Sequence, residues 1–105
     1  METLKQYDDI TQRIESENKF LLCVMANGCS VCHADQPRVE KLVNQLEIPA
    51  AQIIVNDIPE AAGQLSLFTA PVVILFNNGR EFHRQARIID FDQLERSMEQ
   101  LKMSY

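Results

Sequence analysis

The stretch Phe20-Leu21-Leu22-Cys23-Val24-Met25-Ala26-Asn27-Gly28-Cys29-Ser30-Val31-Cys32 decides the fold. Phe20 to Met25 is continuously apolar, and its length suits a strand buried on both faces. Asn27-Gly28 ends it. A helix is expected from Ser30 to Leu46, with Val31, Ala34, Val39, Leu42, Val43 and Leu46 as its apolar stripe. Arg38, Glu40 and Lys41 fall outside the stripe. Pro37 lies inside the pattern, where it removes a helical hydrogen bond and is expected to kink the helix.

Working outward, Tyr7 to Glu17 carries Tyr7, Ile10 and Ile14 at helical spacing, with Asp8, Asp9, Arg13 and Glu15 between them. That predicts an amphipathic helix. Met1 to Leu4 adds a short edge strand. Gln52 to Val55 predicts a second strand, rich in β-branched residues. Asp57 reads as the cap of a short helix, with Pro59 in its first turn and Glu60 three residues on. That helix fades by Leu67. Val72 to Phe76 predicts a further buried strand. Asn78-Gly79 is a type I′ hairpin signal, because both central positions need positive φ. Glu81 to Arg87 is the expected partner strand, polar enough for an edge. Asp90 caps a last helix that carries Phe91, Leu94, Met98 and Leu101 on one face. Each of the three glycines is expected in a loop or turn. The pattern is an α/β fold, a βαβ unit followed by a hairpin and a helix. It predicts a mixed sheet of four or five strands with helices on both faces, in one domain over residues 1–105.

Composition narrows the function. The chain has 105 residues, ten of them Lys or Arg and fifteen Asp or Glu, for a formal charge of -5. Nucleic acid and anionic membranes select basic surfaces, so neither is an expected partner. The longest apolar run, Phe20 to Ala26, is far short of the roughly 20 residues that span a bilayer. Met1-Glu2-Thr3 opens no basic-then-apolar leader, so a cytoplasmic location is expected. Thiols there stay reduced unless they have redox work. Three cysteines are an odd count, which suits a structural disulfide framework poorly.

The chemistry concentrates in Cys29-Ser30-Val31-Cys32. Two intervening residues bring both sulfurs into the first helical turn, within reach of one another. A helix N-terminus carries about half a positive charge, which favours a thiolate. Cys29 is expected to be the more exposed. It would attack a substrate disulfide, and Cys32 would then attack Cys29 and release the reduced substrate.

With these residues in place, the sequence resembles the thioredoxin family over nearly its whole length. Cys29-Ser30-Val31-Cys32 follows an apolar strand, and Pro37 matches the proline of the family's active-site helix. Thr69-Ala70-Pro71-Val72 is similar to the loop that carries the family's cis-proline, and Phe76-Asn77-Asn78-Gly79 to the hairpin after it. The resemblance implies a thioredoxin-like fold and a thiol-disulfide oxidoreductase. It also implies a cis Pro71 facing the cysteines, with the backbone of Ala70 open to a substrate strand. No cofactor is implied beyond the Cys29-Cys32 disulfide. Disulfide-bearing proteins or small disulfides are the implied substrates, an electron-donor reductase the implied partner, and a monomer the implied state.

The sequence also departs from the family. Gly28 replaces the aromatic residue before the first cysteine, and the chain has no tryptophan. The family's buried carboxylate falls on Cys23, and no lysine on Gln52 to Val55 supplies its basic partner. In the family that pair assists proton transfer at the second cysteine. Apart from water, only His33 offers itself here. His33 stands four residues after Cys29 and is the candidate modulator of its ionisation. Cys23 reads as a small core residue and Pro37 as structural.

Two other classes compete. Cys29-x-x-Cys32-His33 matches the c-type haem attachment pattern, and a zinc site would need Cys23 or His83 as further ligands, for which both are poorly placed. A redox-sensing or binding module with little turnover is the third reading.

Overall fold

Strand β2 (Lys19–Met25) lies at the centre of a five-stranded sheet. The computed structural model describes residues 1–105. Strand β1 (Glu2–Thr3) is followed by α1 (Tyr7–Ser16), β2, α2 (Ser30–Leu46), β3 (Ala50–Ile54) and α3 (Pro59–Gln64). Strand β4 (Val72–Asn77), β5 (Arg80–Ala86) and α4 (Phe91–Met103) complete the chain. The sheet order is β1-β3-β2-β4-β5. β1 and β2 run parallel to β3, whereas β4 runs antiparallel to both β2 and β5. The sheet is therefore mixed and five-stranded.

Alternation along the strands sends side chains to two cores. Phe20, Leu22, Val24, Ile53, Val72 and Ile74 pack with Ile10 and Ile14 of α1 and Ala61 of α3. Leu21, Cys23, Val73 and Leu75 pack with Val39, Leu42 and Val43 of α2 and Leu94, Met98 and Leu101 of α4. The near-continuous apolar runs of β2 and β4 follow from having helices on both faces. The Arg38 guanidinium lies 3.9 Å from the Phe91 ring centroid and ties α2 to α4.

The hairpin forms at Asn78 and Gly79, with φ of 53° and 83°. Asp90 caps α4 by accepting from the Gln93 N–H at 3.0 Å. Three local expectations are corrected. Val55 leaves the strand for a 3₁₀ turn, Val55–Asp57, so Asp57 ends that turn and Ile58 occupies the cap of α3 without a side-chain bond. Gly63 lies inside α3 rather than in a loop. Val31 and Ala34 are exposed. Cys32 and Val39, seven residues apart, fix the inward face of α2, and residues 31 and 34 fall off it.

Candidate active site

The antiparallel pairing of β2 with β4 sets the site. Val24 pairs with Val72, so the end of β2 and the start of β4 lie at the same end of the sheet. From the first comes Asn27-Gly28-Cys29, from the second Ala70-Pro71. Asn56 steadies the first loop by accepting from the Asn27 N–H at 2.8 Å. Gly28 takes φ of 71°, a left-handed turn that delivers Cys29 to the helix start.

Cys29 is the N-cap of α2, and its Sγ accepts from the Cys32 N–H at 3.2 Å. Cys29 and Cys32 are joined as a disulfide with their Cα atoms 5.3 Å apart. Cys32 is only 2% exposed, whereas Cys29 is half-buried. The asymmetry gives one sulfur access to solvent and holds the other inside. An anionic Cys29 sulfur would keep the Cys32 N–H as a donor and gain from the helix dipole.

The Ala70–Pro71 peptide is cis. Pro71 is buried and Ala70 half-buried. The Pro71 carbonyl accepts from the Arg87 N–H at 2.8 Å, and Ala70 makes no backbone–backbone hydrogen bond. Its main-chain groups therefore remain available to an incoming extended chain.

His33 is exposed, and its main-chain N–H donates to the Cys29 carbonyl at 3.3 Å. Pro37 lies within α2, which continues through it to Leu46. Cys23 is buried and free. Burial, and secondarily the nearby Asp35 carboxylate, push its thiol up to about 12. Its neighbours across the sheet are Gln52 and Val73. The positions that β2 and β3 present to α2 thus hold a neutral thiol and a neutral amide. Gln52 accepts from Gln36 at 3.0 Å and donates to Thr3 at 2.9 Å.

Three features escaped the sequence reading. Asp35, three residues after Cys32, is a half-buried carboxylate on the inward side of α2. Helical spacing from Cys32 was the signal available for it. Phe68, 80% exposed, stands two residues before Ala70, and Ile88, 88% exposed, follows Arg87. With half-exposed Val31 they put apolar surface on the first turn of α2 and on the segments that flank Ala70 and Arg87, although no aromatic residue precedes Cys29. The signal was a large apolar side chain in a loop segment.

No three His, Cys, Asp or Glu side chains are grouped to hold a metal ion. The two sulfurs of the CxxCH pattern bond each other. His83 lies on β5 in contact with Gln85, and burial lowers its imidazole below the ordinary value.

A solvent-accessible cap cysteine bonded to a buried partner one turn on, beside a cis-proline turn, defines a thiol-disulfide exchange protein of α/β class. The Thioredoxin family profile matches residues 2–100, and the chain belongs to that family. It is 37% identical over 91 residues to the thioredoxin-like protein YdfQ of Bacillus subtilis, covering 85% of this chain and 81% of that protein. Among solved structures, Plasmodium falciparum thioredoxin superposes with a TM-score of 0.86 at 13% identity, over 95% of this chain and 98% of that one. Fasciola hepatica thioredoxin gives 0.85 at 22% identity, over 95% and 98%. With its Cys29–Cys32 pair at bonding distance, the chain is a thiol-disulfide oxidoreductase acting on disulfide-containing substrates.

Proposed function

We propose that the chain works as a reductant in which Cys29 attacks and Cys32 resolves. The observation that carries this order is the difference in access between the two sulfurs, half-buried against 2% exposed. In the forward cycle the Cys29 thiolate attacks one substrate sulfur, the substrate S–S bond breaks, and the leaving thiolate takes a proton. Cys32 then attacks Cys29 Sγ, the mixed disulfide breaks, and the second substrate thiolate leaves. The substrate gains two electrons and the protein becomes the disulfide.

Ala70 and Pro71 would receive the substrate. The unpaired main chain of Ala70 supports pairing with an extended segment whose cysteine faces Cys29. His33, four residues from Cys29 on α2, would favour the Cys29 thiolate when protonated. Regeneration requires a dithiol electron donor, here a reductase. Reduction as the working direction suits the cytoplasm, where glutathione and thioredoxin systems keep thiols reduced. A monomer suffices, since every residue invoked comes from one chain. A structure from work on thiol resolution in yeast mitochondrial 1-Cys peroxiredoxin shares the fold, with a TM-score of 0.84 at 18% identity. That supports peroxidatic proteins as one class of disulfide partner.

Turnover of insulin, coupled to a reductase and followed by consumption of the reductant, tests this reading. Sustained turnover that disappears in Cys29→Ser supports it. Stoichiometric oxidation without turnover refutes it.

A further inference from the structure

Cys32 must lose a proton before it can attack Cys29, yet it is only 2% exposed. Water alone reaches it poorly, so the groups packed against the inward face of α2 matter. That face reads Cys32, Asp35 and Gln36, Val39, then Leu42 and Val43, all buried or half-buried. β2 presents Cys23 to it, β4 presents Val73, and β3 presents Gln52, which is bound to Gln36 of the helix and Thr3 of β1. Gln36, Gln52 and Thr3 cannot accept a proton at neutral pH. Cys23 stays protonated there, its thiol being pushed up to about 12. The other charged groups on α2 are committed or turned away. His33 and Lys41 are exposed, Arg38 lies over Phe91, and Glu40 pairs with the Met1 amine. Asp35 alone remains. Its carboxylate has no hydrogen bond and no ion pair, and it follows Cys32 by three residues, a neighbouring position on a helix.

We infer that Asp35 is the proton acceptor for Cys32 in the resolving step. The Cys32 S–H proton passes to the Asp35 carboxylate, directly or across one water. The Cys32 sulfur forms its bond to Cys29 Sγ as the Cys29–substrate bond breaks. The departing substrate thiolate then takes the proton back from the Asp35 carboxyl. No oxidant or reductant beyond the substrate disulfide is needed. The inference rests on Cys32 being the resolving thiol, as proposed above.

The same carboxylate also has an opposing effect. A negative charge beside a thiol disfavours the thiolate, as Asp35 does for Cys23. Removing it therefore takes away the base and eases thiol ionisation at once. The two effects separate with pH.

Stopped-flow reaction of the reduced protein with an aromatic disulfide tests this. Attack by Cys29 releases one coloured thiolate, and resolution by Cys32 releases the second. In Asp35→Asn the first release is expected within twofold of wild type at pH 7. The second should slow by about tenfold or more, the low end of general base catalysis. Above the range of thiol ionisation the variant should match or exceed wild type. Asp35→Glu should restore part of the second release at pH 7, and its circular dichroism and that of Asp35→Asn report folding. An unchanged second release in Asp35→Asn, or equal slowing of both releases, overturns the assignment. A first release that survives in Cys29→Ser instead refutes the underlying order of attack.

Discussion

The main-chain N–H of Cys32 points at the sulfur of Cys29, 3.2 Å away. The side chain proposed to attack first is also the cap of the helix that carries the proposed resolving thiol. One of the donors that every helix leaves unpaired at its start is thereby directed to the reacting atom. A sulfur that leaves this position as a thiol loses acceptor strength, and one that stays as a thiolate gains it.

His33 is the only ionisable side chain in the first turn of α2 apart from the cysteines. As a cation it would favour the Cys29 thiolate, so His33→Ala should raise the pH midpoint of Cys29 alkylation. Iodoacetamide rates from pH 5 to 9 on the reduced protein measure it. An unchanged midpoint removes His33 from the mechanism.

Cys23 gives a stability signature at high pH. Its thiol is raised from 9.0 to about 12 in the folded chain, chiefly by burial. The folded state therefore holds a proton that the unfolded state releases between these values. The stabilisation is complete below pH 9.0 and is lost as pH rises towards about 12. Urea unfolding of the wild type should lose stability more steeply across that window than Cys23→Ala does. The substitution itself should cost on the order of 1 kcal/mol at pH 7. Equal slopes in the two proteins would contradict the buried neutral thiol.

Arg87 holds φ of 72° with a side chain that disfavours it. Its N–H is fixed on the Pro71 carbonyl at 2.8 Å, which keeps the residue in that region. Arg87→Gly should relieve the strain, and the folded state is expected to gain up to about 1 kcal/mol. Denaturant midpoints at equal m-value check it. A loss of more than about 1 kcal/mol would show that the Arg87 side chain, rather than its backbone, holds the turn.

Those residues also show what a sequence can reveal of this fold. Asn78-Gly79 and Asp90 were readable because their geometry depends on neighbours in the chain. The buried strands were readable from unbroken apolar runs, and the cysteine pair from its position after one of them. The phase of α2 was not. Spacing alone permits an apolar stripe through Val31 and Ala34, whereas Cys32 holds the inward position. That choice depends on what the sheet beneath offers, which is a tertiary fact. Asp57 made a good cap by spacing, but a 3₁₀ turn over Val55–Asp57 used it first. Asp35 could not be singled out before Cys23, Gln52 and Gln36 were known to meet under the helix. Its spacing from Cys32 is one that many surface carboxylates share.

The most direct measurement of the central assignment is a mixed-disulfide trap. Cys29→Ser and Cys32→Ser are expressed in cells, free thiols are blocked at lysis, and covalent complexes are separated without reductant. Cys32→Ser should retain substrate proteins on Cys29, released by dithiothreitol, and Cys29→Ser should retain few or none. Equal trapping by the two variants would contradict the division of labour between an exposed attacking sulfur and a buried resolving one.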